Sequence, residues 1–282
     1  MKNIRIIPRL DIKGPNLVKG IHLEGLRVLG KPEEFAEYYY ENGADELFYQ
    51  DVVASLYERN SLSEIISKTA KKSFIPLTVG GGIRSIADIT IALRAGADKV
   101  CINTAAIKNP EFIREAVKKF GSSTIVVGIE AIRQEGGQYL AFTDNGREYT
   151  GVDVFKWTRQ IVEMGAGELL ITSVDREGTG KGYDIELIKK VAADLPIPVI
   201  AHGGAGKLGD FVDVINEGGV DAVAIASVLH YDFISRHRAD MQTRAEGNVA
   251  FLESGIHKLK KISTHNIEEI KETLKSFNIN CR

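Results

Sequence analysis

Eight short apolar runs, rich in β-branched residues, recur along the 282-residue chain and constrain its fold more than any other feature. The first is "IRIIPRLD" from residue 4, and the last is "AVAIASV" from residue 222. Segments with helical spacing of apolar residues separate them, such as "KPEEFAEYYYENG" after the first run. This alternation indicates βα units and a parallel sheet. Eight units predict an α/β fold, a (β/α)₈ TIM barrel in a single domain over residues 1–282, with a doubly wound open sheet as the alternative.

The chain also contains an internal repeat. The segment "GADELFYQDVVAS" from Gly43 matches "GAGELLITSVDRE" from Gly165, an offset of 122 residues. The segment "IPLTVGGGIRS" from Ile75 matches "IPVIAHGGAGK" from Ile197 at the same offset. A shared offset near half of the eight-unit span predicts two half-barrel repeats of four units each.

Each half carries a glycine-rich strand end, and the next strand ends in small or polar residues. The first half has Gly80–Gly82 and Asn103–Thr104, and the second has Gly203–Gly204 and Ala226–Ser227. Backbone N–H groups at the carboxyl ends of barrel strands commonly bind phosphate. Two such cradles on opposite sides of one mouth predict a substrate with a phosphate group at each end.

A loop with three glycines, "VDREGTGKGYD", follows the sixth apolar run at residues 174–184. Gly178, Gly180 and Gly182 lie close behind the carboxylate of Asp175. Glycine lets a backbone approach another group closely and point its N–H groups at it. We therefore expect this loop to approach a ligand at the mouth of the barrel.

Two carboxylates end symmetric strands. Asp11 ends the first strand, and the repeat places Glu130 at the end of the fifth strand, on the opposite side of the barrel. Side chains alternate along a strand, so Arg5, Ile7 and Arg9 should face the barrel interior together with Asp11. Two acids across a pocket are suited to general acid and base catalysis, because their surroundings can separate their pKa values.

Four charged residues begin barrel strands, at the end opposite to the two acids. They are Arg5, Glu46, Lys99 and Glu168. All four precede apolar runs and should point inward, where buried charges must be paired. A ring of salt bridges across the barrel floor is therefore predicted, either as a structural plug or as a gate.

Composition narrows the functional classes. Hydrophobic residues make up 44 % and charged residues 26 % of the chain, and the net charge of −2 implies no general attraction to nucleic acid or anionic membranes. Two distant cysteines, Cys101 and Cys281, are typical of a reducing cytoplasm and do not form a disulfide framework. The charged amino terminus is unlike a signal peptide. No metal site is predicted, because no histidine has cysteine or histidine neighbours at ligand spacing, and no cofactor is predicted.

Several motifs together resemble those of the cyclase subunit of imidazole glycerol phosphate synthase, an enzyme of histidine biosynthesis. They are "LDIKGPNLVKG", "TVGGGIRS", "GADKVCINTAA", "ITSVDREGTGKGYD" and "GGAGK". The resemblance runs from residue 4 to about residue 231 and returns in "NIEEIKETLKSFNINCR". It implies a lyase that receives ammonia from a glutaminase subunit through the barrel floor. The substrate would be a phosphoribulosyl formimino aminoimidazole carboxamide ribotide, and the products imidazole glycerol phosphate and aminoimidazole carboxamide ribotide.

The resemblance also implies roles for residues of this chain. Asp11 and Glu130 would be the catalytic acids, and the glutaminase would bind at the amino-terminal face of the barrel. Substrate and phosphate contacts would come from Lys19, Asp51, Gly82, Asn103, Thr104, Asp175, Thr179, Gly204 and Ser227. The ammonia gate would be formed by Arg5, Glu46, Lys99 and Glu168.

The chain departs from the family pattern in four ways. Glu130 stands where the family has aspartate, and Arg9 stands where it usually has a small residue. A guanidinium below Asp11 needs a partner, and Glu130 is the expected one. Gln50 and His202 add further polar groups to interior strand positions. Residues 235–258 are predicted to be an insertion after the eighth strand, on the face where insertions alter substrate choice.

These departures keep two alternatives open. One is a paralogue that uses glutamine-derived ammonia to amidate another phosphorylated or nucleotide-linked substrate, such as a surface sugar. The other is an inactive barrel that binds and activates a glutaminase. The discriminating observation is whether Arg9 leaves the ammonia route open.

Overall fold

The computed structural model describes residues 2–54, 62–237 and 261–282, and it confirms the barrel. The twelve strands of these residues are β1 (Arg5–Lys13), β2 (Asn16–Ile21), β3 (Glu24–Gly30), β4 (Leu47–Asp51), β5 (Leu77–Gly80), β6 (Lys99–Ile102), β7 (Ile125–Arg133), β8 (Tyr139–Thr143), β9 (Glu148–Asp153), β10 (Glu168–Ser173), β11 (Val199–His202) and β12 (Ala222–Ile225). Eight of them pair in parallel in the order β1, β4, β5, β6, β7, β10, β11, β12. Pairing of β12 with β1 closes the sheet, so the open-sheet alternative is wrong.

Helices connect the barrel strands and cover their outer surface. They are α1 (Pro32–Glu41), α2 (Ser63–Ala70), α3 (Ile86–Ala95), α4 (Thr104–Lys108), α5 (Glu111–Phe120), α6 (Val154–Glu163), α7 (Ile185–Asp194), α8 (Leu208–Asn216), α9 (Ser227–Arg236) and α10 (Ile267–Ser276). Side chains of Ser85, Asp153, Asp184 and Asn266 accept a hydrogen bond from a backbone N–H in the first turn of the helix that follows. Such capping satisfies donors that a helix leaves unpaired and fixes where each helix begins.

A β-hairpin extends the first barrel strand of each half, and the analysis of the sequence did not predict either one. Strands β2 and β3 continue from β1, with Asp11 paired to Val18, and β8 and β9 continue from β7, with Glu130 paired to Phe142. Asn145–Gly146 in the second turn is a strong hairpin signal, and both residues have positive φ. The hairpins follow the internal repeat and rise above the mouth beside the two acids.

The loop at residues 174–184 contacts other parts of the chain at its glycines. A Cβ at Gly178 would lie 2.7 Å from the carbonyl oxygen of Gly20 in the first hairpin. A Cβ at Gly180 would lie 2.5 Å from the carbonyl oxygen of Lys261. Close approach of neighbouring backbones therefore accounts for these two glycines, which we had expected to approach a ligand.

The two ends of the described chain meet beside β1. The N–H of Ile4 donates to the carbonyl oxygen of Asn280 at 2.8 Å, and the N–H of Arg282 donates to the carbonyl oxygen of Ile4 at 3.1 Å. Helix α10 packs against α8. Of the predicted insertion at 235–258, residues 238–258 lie outside the described residues. Among the helices that the structure does describe, none is long and apolar enough to cross a membrane.

We predict that Gly180→Ala destabilises the fold more than Gly219→Ala. Gly219 has φ of +73° with open space around its Cβ position. Alanine there should lower the free energy of unfolding only by the strain of a left-handed backbone, about 1 kcal/mol. Gly180 has φ of +64°, and alanine must also displace residues 261–262, at a further cost of about 2 kcal/mol. Urea unfolding of both variants measures the difference. Equal losses of stability in the two variants would show that the packing of residues 261–262 does not depend on Gly180.

Candidate active site

Four charged side chains close the floor of the barrel, as the sequence predicted. Nη1 of Arg5 donates to Glu46 at 2.8 Å, and Nη2 donates to Glu168. Nζ of Lys99 lies 3.1 Å from Glu46 and 3.0 Å from Glu168. Each carboxylate thus bridges both cations in a closed, electrically neutral ring.

An apolar layer lies above this ring inside the barrel. Its members are Ile7, Phe48, Cys101, Val126, Leu170, Ile200, Ala222 and Ala224. They come from seven of the eight barrel strands, because inward positions of a closed sheet stack in layers. A small neutral molecule can enter such an apolar layer at a far lower desolvation cost than an ion.

Arg9 forms the next layer, and its partner differs from the one predicted. Its Nε donates to Asp11 at 2.9 Å, and its Nη1 contacts Thr172 at 3.3 Å and Nδ1 of His202 at 3.1 Å. The expected pairing with Glu130 is therefore wrong. Burial, together with the charges of Arg9 and Lys19, lowers the pKa of His202 far below its usual value. The ring is therefore neutral, and its Nδ1 accepts from the guanidinium.

Glu130 has a different environment from Asp11. Its Oε2 accepts a hydrogen bond of 2.8 Å from the N–H of Gly146 in the second hairpin. Burial raises the pKa of Glu130 to about 7, against the opposing effects of that hydrogen bond and of the Arg9 charge. Near neutral pH the Glu130 carboxyl is therefore partly protonated, whereas Asp11 accepts a hydrogen bond from the charged Arg9. The two acids thus differ in environment, as expected.

A cavity of about 320 Å³ opens at the mouth on the side of β4 to β7. Five of the predicted site residues line it, namely Asp51, Gly82, Asn103, Thr104 and Glu130. Arg84 and Lys108 also line it, and the sequence analysis did not select them. Two cations beside a glycine-rich cradle suit a phosphate group. Arg84 lies just after the end of β5, and Lys108 lies in α4, the helix that follows β6. These positions were the signal in the sequence that could have identified the two cations.

The second cradle is nearly closed. Gly204 and Ser227 line a recess of only about 20 Å³, together with Glu177 and Tyr183. A Cβ at Gly204 would lie 2.2 Å from the carbonyl oxygen of Gly182, so this glycine is also required by backbone packing. The two cradles are alike in sequence and differ in the space they leave.

Lys19 makes a buried ion pair with Glu177, a residue that the sequence analysis missed. Oε2 of Glu177 also accepts from the N–H of Leu23 at 3.0 Å, so the first hairpin is held down on the loop at 174–184. The amide of Asn145 donates to the carbonyl oxygen of Leu23 at 2.9 Å and joins the two hairpins. The signal for Glu177 was a carboxylate within a glycine-rich loop.

The remaining predicted residues contact loops. Oδ2 of Asp175 accepts from the N–H of Arg133 at 2.8 Å, and its side chain is exposed. The hydroxyl of Thr179 donates to the carbonyl oxygen of Arg176 at 2.6 Å. Neither residue lines the cavity or the recess described above. Gln50, by contrast, lines the cavity.

Comparison with known protein families decides the family. The sequence model of the family described as "Histidine biosynthesis protein" matches residues 5–235, which include every barrel strand. The chain belongs to this family. Its barrel, its two half-barrel repeats and its floor ring are thus features of a histidine biosynthesis protein.

Similar proteins carry one name. A Legionella pneumophila protein named "Imidazole glycerol phosphate synthase subunit HisF" is 60 % identical over 211 residues, which are 75 % of this chain and all of the relative. A Dehalococcoides mccartyi protein of the same name is 44 % identical over 254 residues, 90 % of this chain and all of the relative. One from Alkaliphilus metalliredigens is 43 % identical over 231 residues, 82 % of this chain and 92 % of the relative.

We predict that Glu130→Gln stabilises the fold at alkaline pH. Below about pH 4.5 the Glu130 carboxyl is protonated in both the folded and the unfolded state, so its raised pKa costs no folding stability there. The cost grows until pH 7, where it reaches about 3 kcal/mol. Glutamine removes this charge and can still accept from Gly146. Urea unfolding should therefore show the variant gaining on the wild type between pH 5 and pH 8.

The matched control is Glu135→Gln, which changes an exposed carboxylate on the same side of the barrel. Its difference from the wild type should stay constant across this pH range. If Glu130→Gln behaved in the same way, Glu130 would not be a buried acid with a raised pKa.

Proposed function

We propose that this chain is the cyclase subunit of imidazole glycerol phosphate synthase in histidine biosynthesis. It would use ammonia from a glutaminase subunit to convert the formimino ribotide to imidazole glycerol phosphate and aminoimidazole carboxamide ribotide. The names of its relatives support this activity. So does the arrangement of floor ring, apolar layer, acids and cradle along one barrel axis.

The observation that carries the proposal is the depth of the cavity. Besides the mouth residues, it is lined by Cys101, Gly128 and Leu170, and two of these belong to the apolar layer. The cavity therefore passes Arg9 and reaches the layer above the floor ring. A Cβ at Gly128 would lie 3.0 Å from the sulfur of Cys101, so glycine keeps this side of the barrel open. This supports a route for ammonia beside Arg9.

The acids could divide the chemistry between them. Glu130, whose pKa lies near 7, can donate a proton to a leaving nitrogen and take it back in the same pH range. Asp11 accepts from the Arg9 guanidinium and can orient and stabilise positive charge on the attacked carbon or nitrogen. The cradle with Arg84 and Lys108 would hold one phosphate of the substrate.

We predict that the purified chain turns over the formimino ribotide when an ammonium salt replaces the glutaminase. Asp11→Asn and Glu130→Gln should each lower kcat roughly 100-fold or more, because each removes a group that moves or stabilises a proton. A spectrophotometric assay at alkaline pH measures this. Glu135→Gln is the control and should keep wild-type turnover. No turnover by the folded wild type would refute the proposal.

The glutaminase would bind at the amino-terminal face of the barrel. The floor ring lies at this face, and Phe74, just before β5, is 79 % exposed there. Its ring contacts Tyr40 with centroids 6.0 Å apart and borders a groove of about 320 Å³. An exposed aromatic side chain beside a groove can serve as an anchor for a partner protein.

We predict that Phe74→Ser weakens the complex with the glutaminase about tenfold or more, because it removes a large apolar anchor. Isothermal titration calorimetry of the two subunits measures the Kd. The control is Ile91→Ser, which replaces another exposed apolar residue on the outer side of the barrel. Turnover with ammonium salt should be unchanged in both variants. Equal affinity of Phe74→Ser and wild type would place the partner elsewhere.

One observation favours a second candidate function, an ammonia-dependent amidating synthase with another phosphorylated or nucleotide-linked substrate. Arg9 and Asp11 form a buried ion pair, with 2 % exposure for each residue, and this engages the carboxylate that the cyclase would use. The assay above separates the two functions. Turnover of the ribotide that depends on Asp11 supports the cyclase, whereas binding without turnover, together with ammonia incorporation into a nucleotide sugar, supports the amidating synthase.

A further inference from the structure

Residues that line the cavity carry polar atoms that have no partner among the described residues. Oδ1 of Asn103 and Oδ1 of Asn145 are buried and accept no hydrogen bond from the described residues. Asn145 is only 7 % exposed, and both residues line the cavity. Buried polar atoms normally find partners, and leaving one unpaired costs about 1–3 kcal/mol. The two amide oxygens therefore indicate where a ligand offers hydroxyl or N–H groups.

Arg9 adds a donor to this set. Its Nε is used by Asp11, and its Nη1 is used by Thr172 and His202. No hydrogen bond joins Nη2 to any described residue, although the residue is 2 % exposed and lines the cavity. The guanidinium centre lies 5.8 Å from the ring centroid of Phe48, which supports it from the apolar layer. These contacts hold the group in place and leave the N–H groups of Nη2 without a partner among the described residues.

We propose that Arg9 is a substrate-binding residue that donates through Nη2 to an oxygen of the substrate, a carbonyl, carboxamide or carboxylate. Asn145 would accept, through Oδ1, from a hydroxyl or N–H of the same molecule. The inference rests on the proposed function, because it takes this cavity as the ammonia-fed site. It deepens that function by naming the chemistry that the inner end of the cavity selects.

The chemistry of the guanidinium gives the site its selectivity. A guanidinium stays charged at every physiological pH and offers its N–H groups in a fixed plane. A substrate without an oxygen at this point would leave Nη2 unpaired in a buried site, and its binding would fall by about tenfold to a hundredfold. Asn145 also clips the first hairpin through Leu23, so the same residue that contacts the ligand holds the loop above it.

Binding of the formimino ribotide without ammonia tests the proposal, since no turnover then occurs. Calorimetry is run on the wild type, Arg9→Met and Arg9→Lys, with inorganic phosphate as the reference ligand. We expect both variants to bind the ribotide about tenfold or more weakly and to bind phosphate as the wild type does. Lysine keeps a cation beside Asp11, so Arg9→Lys decides the outcome if Arg9→Met does not fold.

Asn145→Gly is an independent variant, because glycine tolerates the φ of +63° at this position. It should weaken the ribotide and leave phosphate unchanged. Ribotide affinity equal to the wild type in both Arg9→Lys and Asn145→Gly would overturn the inference.

If the wild type binds phosphate and does not bind the ribotide, the proposed function fails. The role of Arg9 is then decided by 3-phosphoglycerate, which carries a carboxylate beside its phosphate. A preference of the wild type for it over phosphate that Arg9→Lys loses supports the inference, and an unchanged preference overturns it.

Discussion

Closure of the eight-stranded parallel sheet is the constraint on which the rest of the molecule depends. Once β12 pairs with β1, every second side chain of each strand must point inward, and these side chains stack in layers. The layers run from a neutral charged ring, through apolar side chains, to Arg9 and then to the two acids. The change from charged to apolar and again to charged side chains between floor and mouth therefore follows from which residues alternate inward along each strand.

Alternation also explains how much the sequence could predict. The barrel, the half-barrel repeat and the floor ring of Arg5, Glu46, Lys99 and Glu168 follow from period-two patterns and from the need to pair buried charge. Arg9 was assigned the wrong partner. Residues two apart on one strand share a face, so Asp11 was the nearest carboxylate, and a conformer pointing across the barrel was not required. Side-chain direction of this kind depends on packing that a sequence pattern does not contain.

Contacts between loops were the least predictable part. Long-range hydrogen bonds position Glu177, Asn145 and the two hairpins. Such bonds leave no periodic pattern in the local sequence. The repeat likewise predicted two phosphate cradles on opposite sides of the mouth, and the structure leaves about 320 Å³ at one and about 20 Å³ at the other. Glu177, Gly178 and Tyr183 of the loop at 174–184 line the smaller recess, so this loop occupies the space over the second cradle.

The buried pair of Lys19 and Glu177, with the hydrogen bond from the N–H of Leu23 to Glu177, closes one side of the mouth. The same contacts tie the first hairpin to the loop at 174–184 and to the second hairpin. Within the described residues, the larger cavity opens over β4 to β7. In the part of the chain that the structure describes, strands that repeat evenly around the barrel axis thus leave far more free volume on one side of the mouth than on the other.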